Sequence, residues 1–131
     1  MRPDTASVLA GLKDFQRATV DYVFERLYGP APTRRFLVAD EVGLGKTLVA
    51  RGLIARTIDH LWTTVPRIDI IYICSNADIA RQNVQRLGIP GCEITAQSTR
   101  LTLLPLQMHD LSKQRVNFVA LTPGTSFEQN S

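Results

Sequence analysis

Two spacings of apolar residues alternate along the chain. Leu12-Lys13-Asp14-Phe15-Gln16-Arg17 leads into a stretch where Phe15, Val20, Val23, Phe24 and Leu27 recur at helical spacing, which predicts an amphipathic helix. Residues 29–35, Gly-Pro-Ala-Pro-Thr-Arg-Arg, carry turn chemistry and predict a loop. Phe36 to Ala39 is a short apolar run and reads as a buried strand, after which the helical pattern resumes from Leu48 to Ile58. Leu61 to Pro66 is a connection whose Trp62 is expected to pack on the core. Ile68 to Cys74 is rich in β-branched residues and predicts a second, central parallel strand. A further helix through Asp78, Ile79 and Ala80 should end near Leu87-Gly88, with Pro90-Gly91 beyond it. Cys92 to Ala96 and Leu101 to Leu104 read as short strands or extended connections, and Met108 to Lys113 as a helical turn or a loop. Val116 to Leu121 is a third strand. Residues 1–11 carry no clear pattern and are expected to form a loose start to a domain spanning 12–131. The order is βαβαβ, which predicts an α/β fold on a parallel sheet.

The junction after the first predicted strand concentrates the chemistry: Asp40-Glu41-Val42-Gly43-Leu44-Gly45-Lys46-Thr47. A strand, a glycine-bearing turn and a helix opening on Gly-Lys-Thr form the context of a phosphate loop. Gly43 and Gly45 let the backbone approach a ligand closely and turn successive N–H groups toward it. The helix adds roughly half a positive charge at its N-terminus. In such a loop Lys46 reaches the terminal phosphates and the Thr47 hydroxyl ligates Mg²⁺. The position six before Lys46 is Asp40 and not the first glycine of G-x-x-x-x-G-K-[ST]. The alternative is a glycine-rich turn that carries a lysine by chance.

Composition narrows the class only a little. A chain of 131 residues with 44% apolar and 21% charged residues is an ordinary globular domain, which excludes disorder. A net charge of +3 with a pI near 9.2 is compatible with nucleic acid but too small to argue for it. Twelve arginines stand against three lysines, an imbalance that genome composition explains as readily as phosphate binding. Cys74 and Cys92 make no disulfide framework, and Cys74, in an apolar run, is expected to be a reduced core residue. His109 stands alone, without metal-ligand spacing to a partner. No signal peptide and no membrane-length apolar run is present, so an intracellular, cytoplasmic location is expected.

The run Ala39-Asp40-Glu41-Val42-Gly43-Leu44-Gly45-Lys46-Thr47 resembles motif I of the Swi/Snf-type ATPases of the second helicase superfamily, a group that includes the bacterial RNA-polymerase-recycling ATPases. In that family an Asp-Glu pair stands where other phosphate loops have a glycine, so Asp40 supports the resemblance. The resemblance extends from Leu12 to Ser126 and implies a three-layer RecA-like sandwich. It assigns ATP to Gln16, Asp40, Glu41, Val42, Gly43, Leu44, Gly45, Lys46 and Thr47. Lys46 and Thr47 take the catalytic positions and Thr47 the Mg²⁺. Gln16 follows an aromatic residue and lies thirty residues before Lys46, which matches the family's adenine-reading glutamine; on pattern alone it is a surface residue.

Ser75-Asn76-Ala77-Asp78-Ile79-Ala80-Arg81-Gln82 is similar to the motif Ia octet Pro-Thr-Arg-Glu-Leu-Ala-x-Gln, which would place Ser75 and Asn76 on a nucleic-acid phosphate. As a bare sequence, either residue is an ordinary helix N-cap. Thr122-Pro123-Gly124 is similar to motif Ib, which grips a nucleic-acid backbone. Thr125 replaces the arginine expected there, so Thr122, Gly124 and Thr125 would bond through hydroxyl or N–H groups; the same residues also suit a simple turn.

The family's acidic Asp-Glu-x-His/Asp motif (Walker B) does not occur before Ser131, nor does a second RecA-like lobe with its transition-state arginines. The expectation is the N-terminal part of the ATP-binding domain of an ATP-dependent helicase or double-strand translocase. It would work in a bacterial cytoplasm or nucleoid, on DNA in preference to RNA. The isolated chain would bind nucleotide weakly, turn none over, and self-associate through an unpaired sheet edge. A truncated, non-catalytic nucleotide- or nucleic-acid-binding protein is the alternative. A phosphate-loop kinase or motor is a third reading, but it would want glycine at position 40 and no Phe15-Gln16.

Overall fold

The computed structural model describes residues 2–39, 45–92, 96–98 and 114–122. Its elements in chain order are helices α1 (Thr5–Ala10), α2 (Asp14–Tyr28) and α3 (Lys46–Leu61), strand β1 (Ile68–Ile73), helix α4 (Ala77–Leu87) and strands β2 (Ala96–Ser98) and β3 (Val116–Leu121). This is a mixed α/β fold on a parallel sheet.

The start of the chain is ordered where a loose segment is expected. Asp4 caps α1 by accepting the Ser7 N–H at 3.1 Å, and its own N–H donates to the Pro90 carbonyl at 2.9 Å. Arg2 and the Thr5 hydroxyl both bind the Asp59 carboxylate, at 2.9 and 2.7 Å. These bonds are tertiary and the helix buries only Thr5 and Val8, so no periodicity announces it.

α2 and α3 pack side by side. Val20 and Val23 are buried as their spacing predicts, but Phe15 is half exposed. α3 buries Val49, Gly52, Ala55 and Ile58, one residue per turn. A Cβ on Gly52 would lie 2.8 Å from Leu12 Cδ1 and 3.0 Å from Val20 Cγ2, so this glycine permits the close approach of the two helices. The two arginines of α3 make tertiary contacts. Arg51 donates to the Gly88 carbonyl at 2.9 Å, while Arg56 pairs with Asp21 and lies 4.4 Å over the Phe24 ring.

The strand order is β1-β3-β2, all parallel, with Ile68↔Val116 through Ile73↔Leu121 in register. β3 is therefore the central described strand and is buried at every position, while β1, expected to be central, lies at the edge of the described strands. Ile68, Ile70 and Tyr72 pack inward, Ile68 with Ala55 and Ile58, and Ile70 and Tyr72 with Val84, Leu87 and Phe118. Ile71 and Ile73 face out, 60% and 64% exposed. A β-branched run of this kind fits a doubly covered strand, but here only one face is covered.

Asn117 is wholly buried and donates to Asp69 across the β1–β3 pair at 2.9 Å; its Oδ1 has no partner. Trp62 packs on the core as expected, with the Arg115 guanidinium stacked 3.8 Å over its ring. Cys92 and not Cys74 is the buried cysteine; burial pushes its thiol pKa up, and Cys74 is half-buried. Cys92 forms an isolated antiparallel bridge to Ile89, and the next described strand is β2.

The predicted strand Phe36 to Ala39 does not form. It makes no ladder among the described residues, Leu37 is 84% exposed, and Phe36 meets Tyr22 edge to face at 5.7 Å between ring centroids. An apolar tetrapeptide becomes a strand only when a neighbour pairs its backbone. Here it lines, with Ala18, Thr19, Tyr22 and Val23, an apolar groove of about 340 Å³. Among the described residues no helix is long and apolar enough to cross a membrane. Leu101 to Leu104, Met108 to Lys113 and His109 lie outside the described residues.

The exposed isoleucines of β1 make the edge adhesive, since it carries neither proline nor lysine to blunt it. Sedimentation velocity is expected to show concentration-dependent association that the double substitution Ile71→Lys, Ile73→Lys reduces. A wild-type chain that stays monomeric at high concentration would refute this.

Candidate phosphate-binding site

Gly45 is the N-cap of α3 and adopts the left-handed conformation, φ 79° and ψ 39°, which side-chain-bearing residues rarely take. Its carbonyl accepts the Val49 N–H at 3.1 Å, the bond that starts the helix. Lys46 and Thr47 follow in the first turn, with Lys46 exposed and Thr47 half-buried. That turn carries no acidic residue, so nothing on the helix itself cancels the positive end of its dipole. Asp40, Glu41, Val42, Gly43 and Leu44 lie outside the described residues.

Gln16 is 3% exposed, so it is no surface residue. Its Oε1 accepts the Lys13 N–H at 3.0 Å, closing the start of α2. The other end of the amide faces Gly45: a Cβ built there would lie 2.5 Å from Gln16 Nε2. The structure thus brings together two residues that the sequence analysis assigns to one site. The local bond to Lys13 was not anticipated from the sequence. A glutamine three residues after the residue preceding a helix is half of a capping box, and that spacing was present in Lys13 and Gln16.

Ser75 and Asn76 are exposed at the β1–α4 junction. Asn76 is the N-cap of α4, its Oδ1 accepting the N–H groups of Asp78 and Ile79 at 2.9 and 3.0 Å. Thr122 is half-buried and follows β3 directly. The β1–β3 register, continued by the Cys74 N–H donating to the Leu121 carbonyl at 3.1 Å, puts Thr122 and the Ser75-Asn76 turn at the same end of adjacent parallel strands. Open α/β sheets bind ligands at the carboxyl ends of their strands. Gly124 and Thr125 lie outside the described residues.

The chain matches no family model, curated protein or solved structure. Its function must therefore be argued from these residues. Among the described residues no group of three or more His, Cys, Asp or Glu side chains is placed to hold a metal ion. Mg²⁺ that arrives on a nucleotide needs no such cage, because phosphates and water supply most of its ligands. A single hydroxyl, that of Thr47, suits that arrangement.

Proposed function

We propose that this chain carries the ATP-binding part of an ATP-dependent helicase or double-strand DNA translocase of the Swi/Snf-like type, built on a RecA-like sandwich. The observation that carries the reading is left-handed Gly45 capping a sixteen-residue helix that opens with Lys46-Thr47, on a parallel α/β fold. The open N–H groups of a helix's first turn favour an anion, which also gains from the helix dipole. Lys46 would supply a point charge to the terminal phosphates, and the Thr47 hydroxyl would help hold Mg²⁺, whose charge would offset that of the triphosphate. Nucleic acid would pass Ser75, Asn76 and Thr122, at the strand ends, and the loop of Gly124 and Thr125. The bond cleaved in the working enzyme would be the β–γ phosphoanhydride.

The test is calorimetric titration of Mg-ATP into the wild-type chain and into Lys46→Ala. Lys46 is exposed, so the substitution should leave the fold intact. Loss of one charge-assisted contact amounts to about 1.5–3 kcal/mol, and the affinity should fall by roughly ten- to a hundredfold. Equal affinity in the two proteins would remove the phosphate-loop reading.

A further inference from the structure

Gln16 is placed to act on the backbone of the phosphate loop. Its side chain is 3% exposed, and its Oε1 is committed to the Lys13 N–H at 3.0 Å. Its Nε2 occupies the space that a side chain at position 45 would need, 2.5 Å from the Cβ built there. The distance between amide and loop does not depend on the Gln16 rotamer alone. α3 is held against α2 and the segment leading into it about two turns further along, where Leu12 and Val20 close over Gly52. The acceptor end of the amide is thus taken by the Lys13 N–H, and its donor end abuts Gly45.

We propose that Gln16 is a positioning residue for the phosphate loop. Its amide backs Gly45 in the left-handed conformation, so that the N–H groups opening α3 face a triphosphate whatever base that triphosphate carries. The proposal rests on the nucleotide reading above and deepens it: the determinant at Gln16 is the polyphosphate and not adenine.

Wild type, Gln16→Ala and Gln16→Glu are titrated with Mg-ATP, Mg-GTP and inorganic tripolyphosphate with Mg²⁺. Amide hydrogen exchange is followed in the ligand-free proteins. Gln16→Ala should weaken all three ligands by one common factor, about three- to tenfold, the size of one lost positioning contact. Gln16→Glu keeps the acceptor for Lys13, and so the fold, but sets an anionic oxygen against Gly45; it should weaken all three at least as much. A loss confined to ATP would overturn the proposal and make Gln16 a base reader. Exchange at the Val49 N–H, which reports on the Gly45 carbonyl, should speed up in Gln16→Ala while that of Ile58 stays unchanged; no change at Val49 overturns the proposal even without ligand. If wild type binds none of the three ligands, the nucleotide reading falls, and the exchange data still decide whether Gln16 holds Gly45.

Discussion

Replacing Phe118 by alanine is expected to destabilise the chain by about 3–5 kcal/mol, the range for removing a fully buried aromatic side chain. Phe118 is 2% exposed at the middle of β3, the strand that pairs with both β1 and β2. Its ring packs with Val84 and Leu87 of α4 and with Ile54, Ile70 and Tyr72. A cavity there opens between α4 and the sheet, where Val84, Leu87 and Ile70 pack against the ring. Small domains have only about 5–15 kcal/mol of total stability, and a loss of this size takes a large share. Urea titration followed by circular dichroism measures it. Ile71→Ala, at a 60% exposed position on the neighbouring strand, should change stability by less than about 0.5 kcal/mol. A Phe118→Ala loss below about 1 kcal/mol would mean that the α4–sheet cluster does not form a packed core.

The contrast between Phe118 and Ile71 also shows what the sequence made legible. Val116 to Leu121 reads as a strand because a run buried on both faces needs apolar residues in succession, and β3 is such a strand. Ile68 to Ile73 has the same texture and forms a strand too, but composition cannot say how many neighbours a strand has. The expectation of a central position therefore failed at Ile71 and Ile73. Phe36 to Ala39 failed for a related reason, since pairing is a property of two segments and this one has no partner among the described residues. α3 and the stop of α4 at Gly88 were legible because helical bonds are local. α1 was not, because its anchors, Asp59 and Pro90, lie far along the chain. At the candidate site, the glycine and the lysine were readable from the loop pattern. The direction in which Gln16 points was not, since it follows from helix packing at Gly52.

Gly45→Val should abolish binding of Mg-ATP and of tripolyphosphate at concentrations that saturate the wild type. Two costs fall together at this position. The left-handed conformation at φ 79° disfavours any side chain by about 1–2 kcal/mol, and a β-branched one by more. The new Cβ would also start 2.5 Å from Gln16 Nε2, an atom that cannot simply swing away because Gln16 is buried and tied to Lys13. Relief requires either Gly45 to leave the left-handed region or Gln16 to leave Lys13, and both displace the N–H groups that open α3. Gly91→Val provides the comparison. Gly91 has φ 86°, but the nearest atom to its Cβ is Pro3 Cα at 3.4 Å, in contact with the N-terminal segment and not with the loop. It should lower thermal stability through the same left-handed cost and leave nucleotide affinity at the wild-type value. If the two valine variants lose stability alike and only Gly45→Val loses binding, the left-handed glycine at the head of α3 serves the ligand as well as the fold. If both retain binding, the phosphates do not sit at this helix, and the function must be sought at the carboxyl ends of β1 and β3.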